Sequence, residues 1–161
     1  MAAPTHTARS SRVPSGIKMD DGYQTLIAFN RAPTIGFWEK TVKPPGLDGG
    51  DKIDTTTMHN ADWRTFAPRA LVTMTDMQTT VAYDPVIYDT VVQVLLNAEG
   101  SITVHFPDGS YVSFFGFLKS FEVNDHVEGQ QPEATVMITP TNQDPTTGTE
   151  QGPVLVSVGG T

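Results

Sequence analysis

Apolar and polar residues alternate with a period of two through most of the middle of the chain, the spacing that places successive side chains on opposite faces of a strand. From Pro68 to Tyr83, Leu71, Thr73, Thr75, Met77, Thr79 and Val81 share one face and Ala70, Val72, Met74, Asp76, Gln78 and Thr80 the other. That predicts one strand far longer than the usual 5 to 6 or so residues. Tyr23 to Asn30 and Thr34 to Lys43, rich in β-branched and aromatic residues and split by Arg31, Ala32 and Pro33, predict two more. Ser101 to Phe106 and Tyr111 to Val123 flank Pro107-Asp108-Gly109-Ser110, and Asp-Gly permits the φ > 0 geometry of a hairpin turn. Val112, Phe114, Gly116 and Leu118 alternate with Tyr111, Ser113, Phe115, Phe117 and Lys119, so both faces of this strand carry large apolar groups and one is open to another subunit. Glu133 to Thr139 is a further strand, and the short apolar run Val154 to Val158 is expected to add as a strand to a neighbouring copy.

One segment has the helical period. Asp84 stands at an N-cap, Pro85 at the first helical position, and Asn97 and Gly100 close the element. Ile87, Val91, Val94 and Leu95 form an apolar stripe, widened by Tyr88, Val92 and Leu96, that predicts a helix buried on a sheet. Another segment has no period: Pro44 to Trp63, PPGLDGGDKIDTTTMHNADW, predicts a long acidic loop. Loops beyond about 12 to 15 residues with no structure of their own are usually functional or disordered.

The length of 161 residues supports one domain, and 12 prolines and 14 glycines crowd its ends and loops. The division expected is an N-terminal arm, 1–15, a β-domain, 16–140, with its long loop at 44–66, and a C-terminal arm, 141–161. With no cysteine, stability must come from packing or from partners. The chain has no apolar run of the ~20 residues that cross a bilayer, and MAAPTHTARSSRVPSG lacks the apolar middle of a signal peptide. Synthesis in a cytoplasm without membrane binding is the expectation.

The net charge of -8 is unevenly spread. Arg9, Arg12 and Lys18 precede any acid, whereas Glu122, Asp125, Glu128, Glu133, Asp144 and Glu150 follow Lys119 with no base among them. This argues against a duplex-binding surface, which needs clustered cations, and suits head-to-tail contacts between identical subunits.

Chemistry is hard to find. His6, His59, His105 and His126 lie at no metal-ligand spacing, and Asp48, Asp51 and Asp54 lack the ladder and terminal Glu of a calcium loop. There is no G-x-S-x-G elbow and no P-loop, so no catalytic, metal or cofactor site is expected and the chain is read as a non-enzyme. In the loop, Leu47, Asp48, Asp51, Ile53, Asp54, Met58 and Trp63 are the expected subunit contacts, since apolar side chains within an acidic loop can anchor a polar-rimmed interface. Arg9, Arg12 and Lys18 of a neighbouring copy are the expected basic partners of the three aspartates.

A strand near GIKM, the loop Pro44 to Phe66, the helix Pro85 to Leu96, and then FPDGS, FFGFLKSFEVND and QPEATVMITPTN follow in an order that resembles the major tail tube protein of long-tailed, non-contractile bacteriophages, the siphophage tail tube family, from Gly16 to about Pro145. The resemblance implies a mainly β, sandwich- or barrel-like tail tube fold with one flanking helix at about 84–97. It implies hexameric rings stacked into the hollow tube of a virion tail, through which genomic DNA passes without specific binding. The extended loop would reach a subunit of an adjacent ring or a ring neighbour, and the terminal arms would lock rings together. Partners would be the protein itself and other tail proteins: tape measure, tail tip and terminator. The Thr-rich faces between Leu71 and Val81 suit a pore wall. Two other readings are a terminator or connector ring, and a carbohydrate-binding β-sandwich stacking sugars on Trp38 or Trp63.

Overall fold

A computed structural model of the chain describes residues 25–157. The basic arm with Arg9, Arg12 and Lys18, and the strand expected near GIKM, lie outside the described residues. The main sheet comprises β1 (Leu26–Phe29), β2 (Glu39–Lys43), β7 (Met77–Ala82), β8 (Gly100–His105), β9 (Tyr111–Val123), β10 (Glu133–Pro140) and β11 (Val154–Val156). Its order is β1-β8-β9-β10-β7-β2, with β11 also on β9, and every pairing is antiparallel. Four short strands, β3 (Leu47–Asp48), β4 (Ile53–Asp54), β5 (Phe66–Ala67) and β6 (Thr73–Met74), pair off outside it. The mainly β class with one short helix is as expected.

The sheet curls towards closure, and a side chain links its two edges. Glu39 of β2 accepts a hydrogen bond from the backbone N–H of Ile27 in β1 at 3.0 Å, although these strands end opposite sides of the sheet order. An edge donor that would otherwise be exposed is thus satisfied without a ladder partner. Ile27, Phe29, Ile35, Phe37, Met77, Val81, Val104, Phe114, Val136 and Ile138 fill the enclosed face.

Two bulges reset the alternation, and a lysine is the extra residue in each. In β9 the register with β10 passes from Ile138↔Leu118 to Met137↔Ser120, skipping Lys119. The inward set therefore changes from Val112, Phe114, Gly116 and Leu118 to Phe121, whose ring lies 6.1 Å from Phe37. In β2 the register skips Lys40. A bulge supplies an unpaired residue whose side chain can be re-aimed. Lys40 pairs with Glu133, and Lys119 lies 3.5 Å from Asp76.

The long strand expected over Pro68 to Tyr83 is broken at Thr75 and Asp76 into β6 and β7. Met77, Thr79 and Val81 share a face as the alternation predicts, but that face is buried in the core and so lines no pore, while upstream of the break Met74 is buried, Thr73 and Thr75 are exposed and Leu71 is 78% exposed. The helix begins as expected: Asp84 accepts from the Val86 N–H at 3.0 Å and Pro85 opens the first turn. It is α-helical only over Pro85–Thr90 (α1) and continues as a π turn, Val91–Leu95, that ends at Asn97 with φ 56°. The wider turn keeps Val91 and Leu95 buried below Ile87 and turns Val94 out to 40% exposure. The stripe is thus narrower than the sequence period implies.

The β8–β9 hairpin forms at the expected turn, with Gly109 at φ 88° and Asp108 accepting from Ser110 N at 2.8 Å. Val154–Val156 was expected to pair with a neighbouring copy and instead pairs with Tyr111–Ser113 of its own chain. Residues Gln143 and Glu150 bridge across an Asp144–Gly148 turn that brings the chain back for this pairing.

Candidate assembly surface

Between β2 and β7 the chain leaves the sheet and returns as a two-stranded ribbon. Pro44 and Pro45 cannot donate to a ladder, which ends regular pairing after Lys43. Gly46 re-establishes it by donating to the Thr75 hydroxyl at 2.9 Å and accepting from the Thr75 N–H at 2.9 Å. Then Leu47–Asp48 pairs with Thr73–Met74 and Ile53–Asp54 with Phe66–Ala67. Between these short ladders, Gly50 takes φ 73°, and Arg69 packs against it while donating to the Asp51 carbonyl at 2.9 Å. Any Cβ at position 50 would lie 2.9 Å from the Arg69 side chain.

Threonine and asparagine close the tip. The Thr55 N–H donates to the Thr65 carbonyl at 3.0 Å, their hydroxyls meet at 3.1 Å, and Asn60 both accepts from Thr57 N at 2.9 Å and donates to the Trp63 carbonyl at 3.0 Å. This network holds Met58 and Trp63 in solvent at 102% and 83% exposure. Leu47, Ile53, Phe66, Leu71 and Val72 are exposed along the same ribbon.

All seven loop residues expected at subunit contacts, Leu47, Asp48, Asp51, Ile53, Asp54, Met58 and Trp63, are therefore on one protruding arm and exposed. Two of the aspartates also shape it. Asp48 accepts from Gly50 N at 2.8 Å, and Asp54 from Thr56 N at 2.9 Å. The Thr56 hydroxyl, and then its N–H, hold the Asp54 carboxyl below its ordinary value. The return strand, which the sequence pattern assigned to a separate long strand, brings Phe66, Leu71 and Val72 into this surface.

Ribbon pairing also changes the charge of the segment. As a loop it is acidic, with Asp48, Asp51, Asp54 and Asp62 against Lys52. As a folded arm from Lys43 to Arg69, those four aspartates are balanced by Lys43, Lys52, Arg64 and Arg69. Lys52 lies 3.6 Å over the Phe66 ring, a cation–π contact that leaves its charge at the surface. Arg64 is exposed beside Trp63 and makes no ion pair among the described residues.

A second apolar surface lies at the opposite end of β7. The Tyr83 N–H donates to the Pro132 carbonyl at 3.0 Å, which brings the start of α1 beside the β9–β10 turn. Tyr83 contacts the rings of Tyr88 at 6.2 Å and His126 at 5.7 Å, and Tyr88 contacts Phe121 at 5.5 Å. Around them Val86 is 73% exposed, and Val123 and Val127 are exposed as well. Sequence reasoning missed this surface because the stripe called for a buried helix, and Val86 falls outside the stripe.

The histidines are dispersed: His59 at the arm tip, His105 in β8, where burial lowers its pKa, and His126 in the β9–β10 turn. Trp38 lines a hollow of ≈ 500 Å³ with Tyr83, Asp84 and Gln131, and Trp63 stands exposed at the arm tip.

No protein-family model matches the sequence, and no curated protein does. Solved structures do. A chain of the anti-feeding prophage (AFP) baseplate, determined by cryo-electron microscopy with six-fold symmetrisation, superimposes with a TM-score of 0.57 at 9% identity, covering 83% of this chain and 91% of that one. A chain from the tail of an empty GTA particle, refined with C6 symmetry, gives 0.55 at 10% identity and covers 76% and 95%. At such identities the likeness establishes a fold shared with tail and baseplate subunits.

Proposed function

We propose that the chain is a structural subunit of a phage-type tail, forming six-membered rings that stack into a hollow tube for genome delivery. The observation that carries this reading is the arm, a charge-balanced ribbon on a tail-type fold with Met58 and Trp63 in solvent. An ordered, exposed tryptophan at the end of a ribbon is costly for a monomer and useful as an anchor in an interface. Leu47, Asp48, Asp51, Ile53, Asp54, Met58 and Trp63 contact other subunits, and the carboxylates meet Arg9, Arg12 and Lys18 of a neighbour.

The sheet face turned away from the core supports a channel wall. It carries the hydroxyls of Thr41, Thr80 and Thr135, and Lys40 on it is ion-paired with Glu133. On the same face Lys43, opposite Gln78, makes no ion pair among the described residues, so a largely hydroxyl wall with few free cations holds phosphates weakly and a duplex slides. The partners are further copies, and the tape measure, tail tip and terminator of the same virion.

Negative-stain electron microscopy over a concentration series tests the reading. Hollow striated tubes support it. Single rings that refuse to stack support a connector, terminator or baseplate ring, a second reading favoured by the likeness to an AFP baseplate chain. Monomers at all concentrations, even with tail-tip extract added, defeat both. Substituting Asp48, Asp51 and Asp54 by Asn removes their charge but retains an acceptor for the Gly50 and Thr56 N–H groups. Loss of polymer is expected, and Lys substitutions at the aspartates should be partly rescued by reversing Arg9, Arg12 and Lys18.

A further inference from the structure

The arm and the α1 end of the sheet are two exposed apolar surfaces at opposite poles of one strand. β7 leaves the arm at Met77 and reaches α1 through Tyr83. The arm joins β7 at its Met77 end and α1 follows its Tyr83 end, so the strand holds the two about 20 Å apart at ~3.3 Å per residue. The two surfaces therefore lie at opposite ends of one strand within a copy.

Their charges differ in character. The α1 pole carries Asp84, Asp89, Glu122, Asp125 and Glu128, and no lysine or arginine occurs between Ala70 and Leu118 or after Lys119. The arm is charge-balanced, and at its tip Trp63 stands between Asp62 and Arg64, an exposed cation that makes no ion pair among the described residues. An apolar patch of Val86, Tyr88, Val123 and Val127 rimmed by carboxylates complements an apolar tip that offers the exposed Arg64 beside Trp63.

We infer that the arm tip of one copy, with Met58, Trp63 and Arg64, docks on the acidic, apolar α1 pole of a second copy. This rests on the assembly reading above and names the surface that receives the arm. Because donor and acceptor surfaces differ, the contact is heterologous, and it propagates from copy to copy instead of closing a two-fold dimer.

The absence of cysteine makes the contact directly testable. In Met58→Cys/Val127→Cys, mild oxidation of the assembled protein should give a ladder of disulfide-linked species on a denaturing gel. Met58→Cys/Leu155→Cys, with an equally open cysteine on the β11 edge, should give none. Arg64→Glu should raise the critical concentration by about tenfold or more. A copy with Asp125→Lys and Glu128→Lys should show the same loss, and the two variants mixed should co-assemble, each melting like the unmodified chain when alone. Wild-type polymers visible by microscopy, with no ladder from the arm–pole pair and no effect of charge reversal, would overturn the docking and leave the assembly reading intact. A wild-type chain that never polymerises, even with tail-tip extract, defeats both.

Discussion

Two buried residues show how tightly the sheet is packed. Gly116 sits in β9 between Gly100 and Pro140, and a Cβ there would lie 2.7 Å from the Thr139 carbonyl oxygen. Alanine normally improves on glycine in a strand by roughly 0.5 to 1 kcal/mol. Here the backbone of β10 must move, and Gly116→Ala is expected to cost about 1 to 3 kcal/mol in denaturant unfolding. Thr79 points into the core at 0% exposure, and its hydroxyl has no hydrogen-bond partner among the described residues. Thr79→Val keeps the shape and removes an unsatisfied group, so unchanged stability or a gain of up to about 1 kcal/mol is expected. A loss above that would reveal a partner for the hydroxyl.

At the level of elements, the π turn and the edge link separate local pattern from tertiary demand. Leu95→Ala should cost about 2 to 5 kcal/mol, because Leu95 is 2% exposed in the core. Val94→Ala should change stability by less than ~1 kcal/mol. In a continuous α-helix with the stripe the sequence predicts, the two costs would be comparable, so thermal unfolding of the pair reads out the turn. Glu39→Ala leaves the Ile27 N–H at the β1 edge without its carboxylate, and a loss of about 1 to 3 kcal/mol is expected. Hydrogen exchange at Ile27 should accelerate with it.

On the scale of the molecule, the body and the arm are built differently. The body has a continuous core from Ile27 to Ile138, whereas the ribbon beyond β3 and β6 is held by the short β4–β5 ladder, turns, side-chain hydrogen bonds and a cation–π contact, with no buried core of its own among the described residues. Replacing Asp51–Arg69 with an Asn-Gly turn keeps β3, β6 and the buried Met74, so Tm should change by less than about 4 °C, or less than ~1 kcal/mol. Assembly should be lost in the same variant. A large fall in Tm would instead make the arm part of the folding unit.

Much of the fold was legible in order: the Asp84 cap, the Asp108-Gly109 hairpin, the alternation that sets Met77, Thr79 and Val81 on one face, and the exposure of the segment around Met58 and Trp63. These are short-range features, set by φ preferences, capping and a period of two, and neighbouring residues suffice to reveal them. Partner choice is a longer-range matter. Pairing Leu47 with Met74, the bulges at Lys40 and Lys119, the return of Val154–Val156 to β9 and the link from Glu39 to Ile27 each join distant residues. Only the assembled sheet can select among competing registers, because a one-residue shift exchanges the buried and exposed faces. For the same reason, the acidic loop became a charge-balanced arm once Arg64 and Arg69 returned beside it, and the apolar α1 pole emerged only when the β9–β10 turn packed against Tyr83.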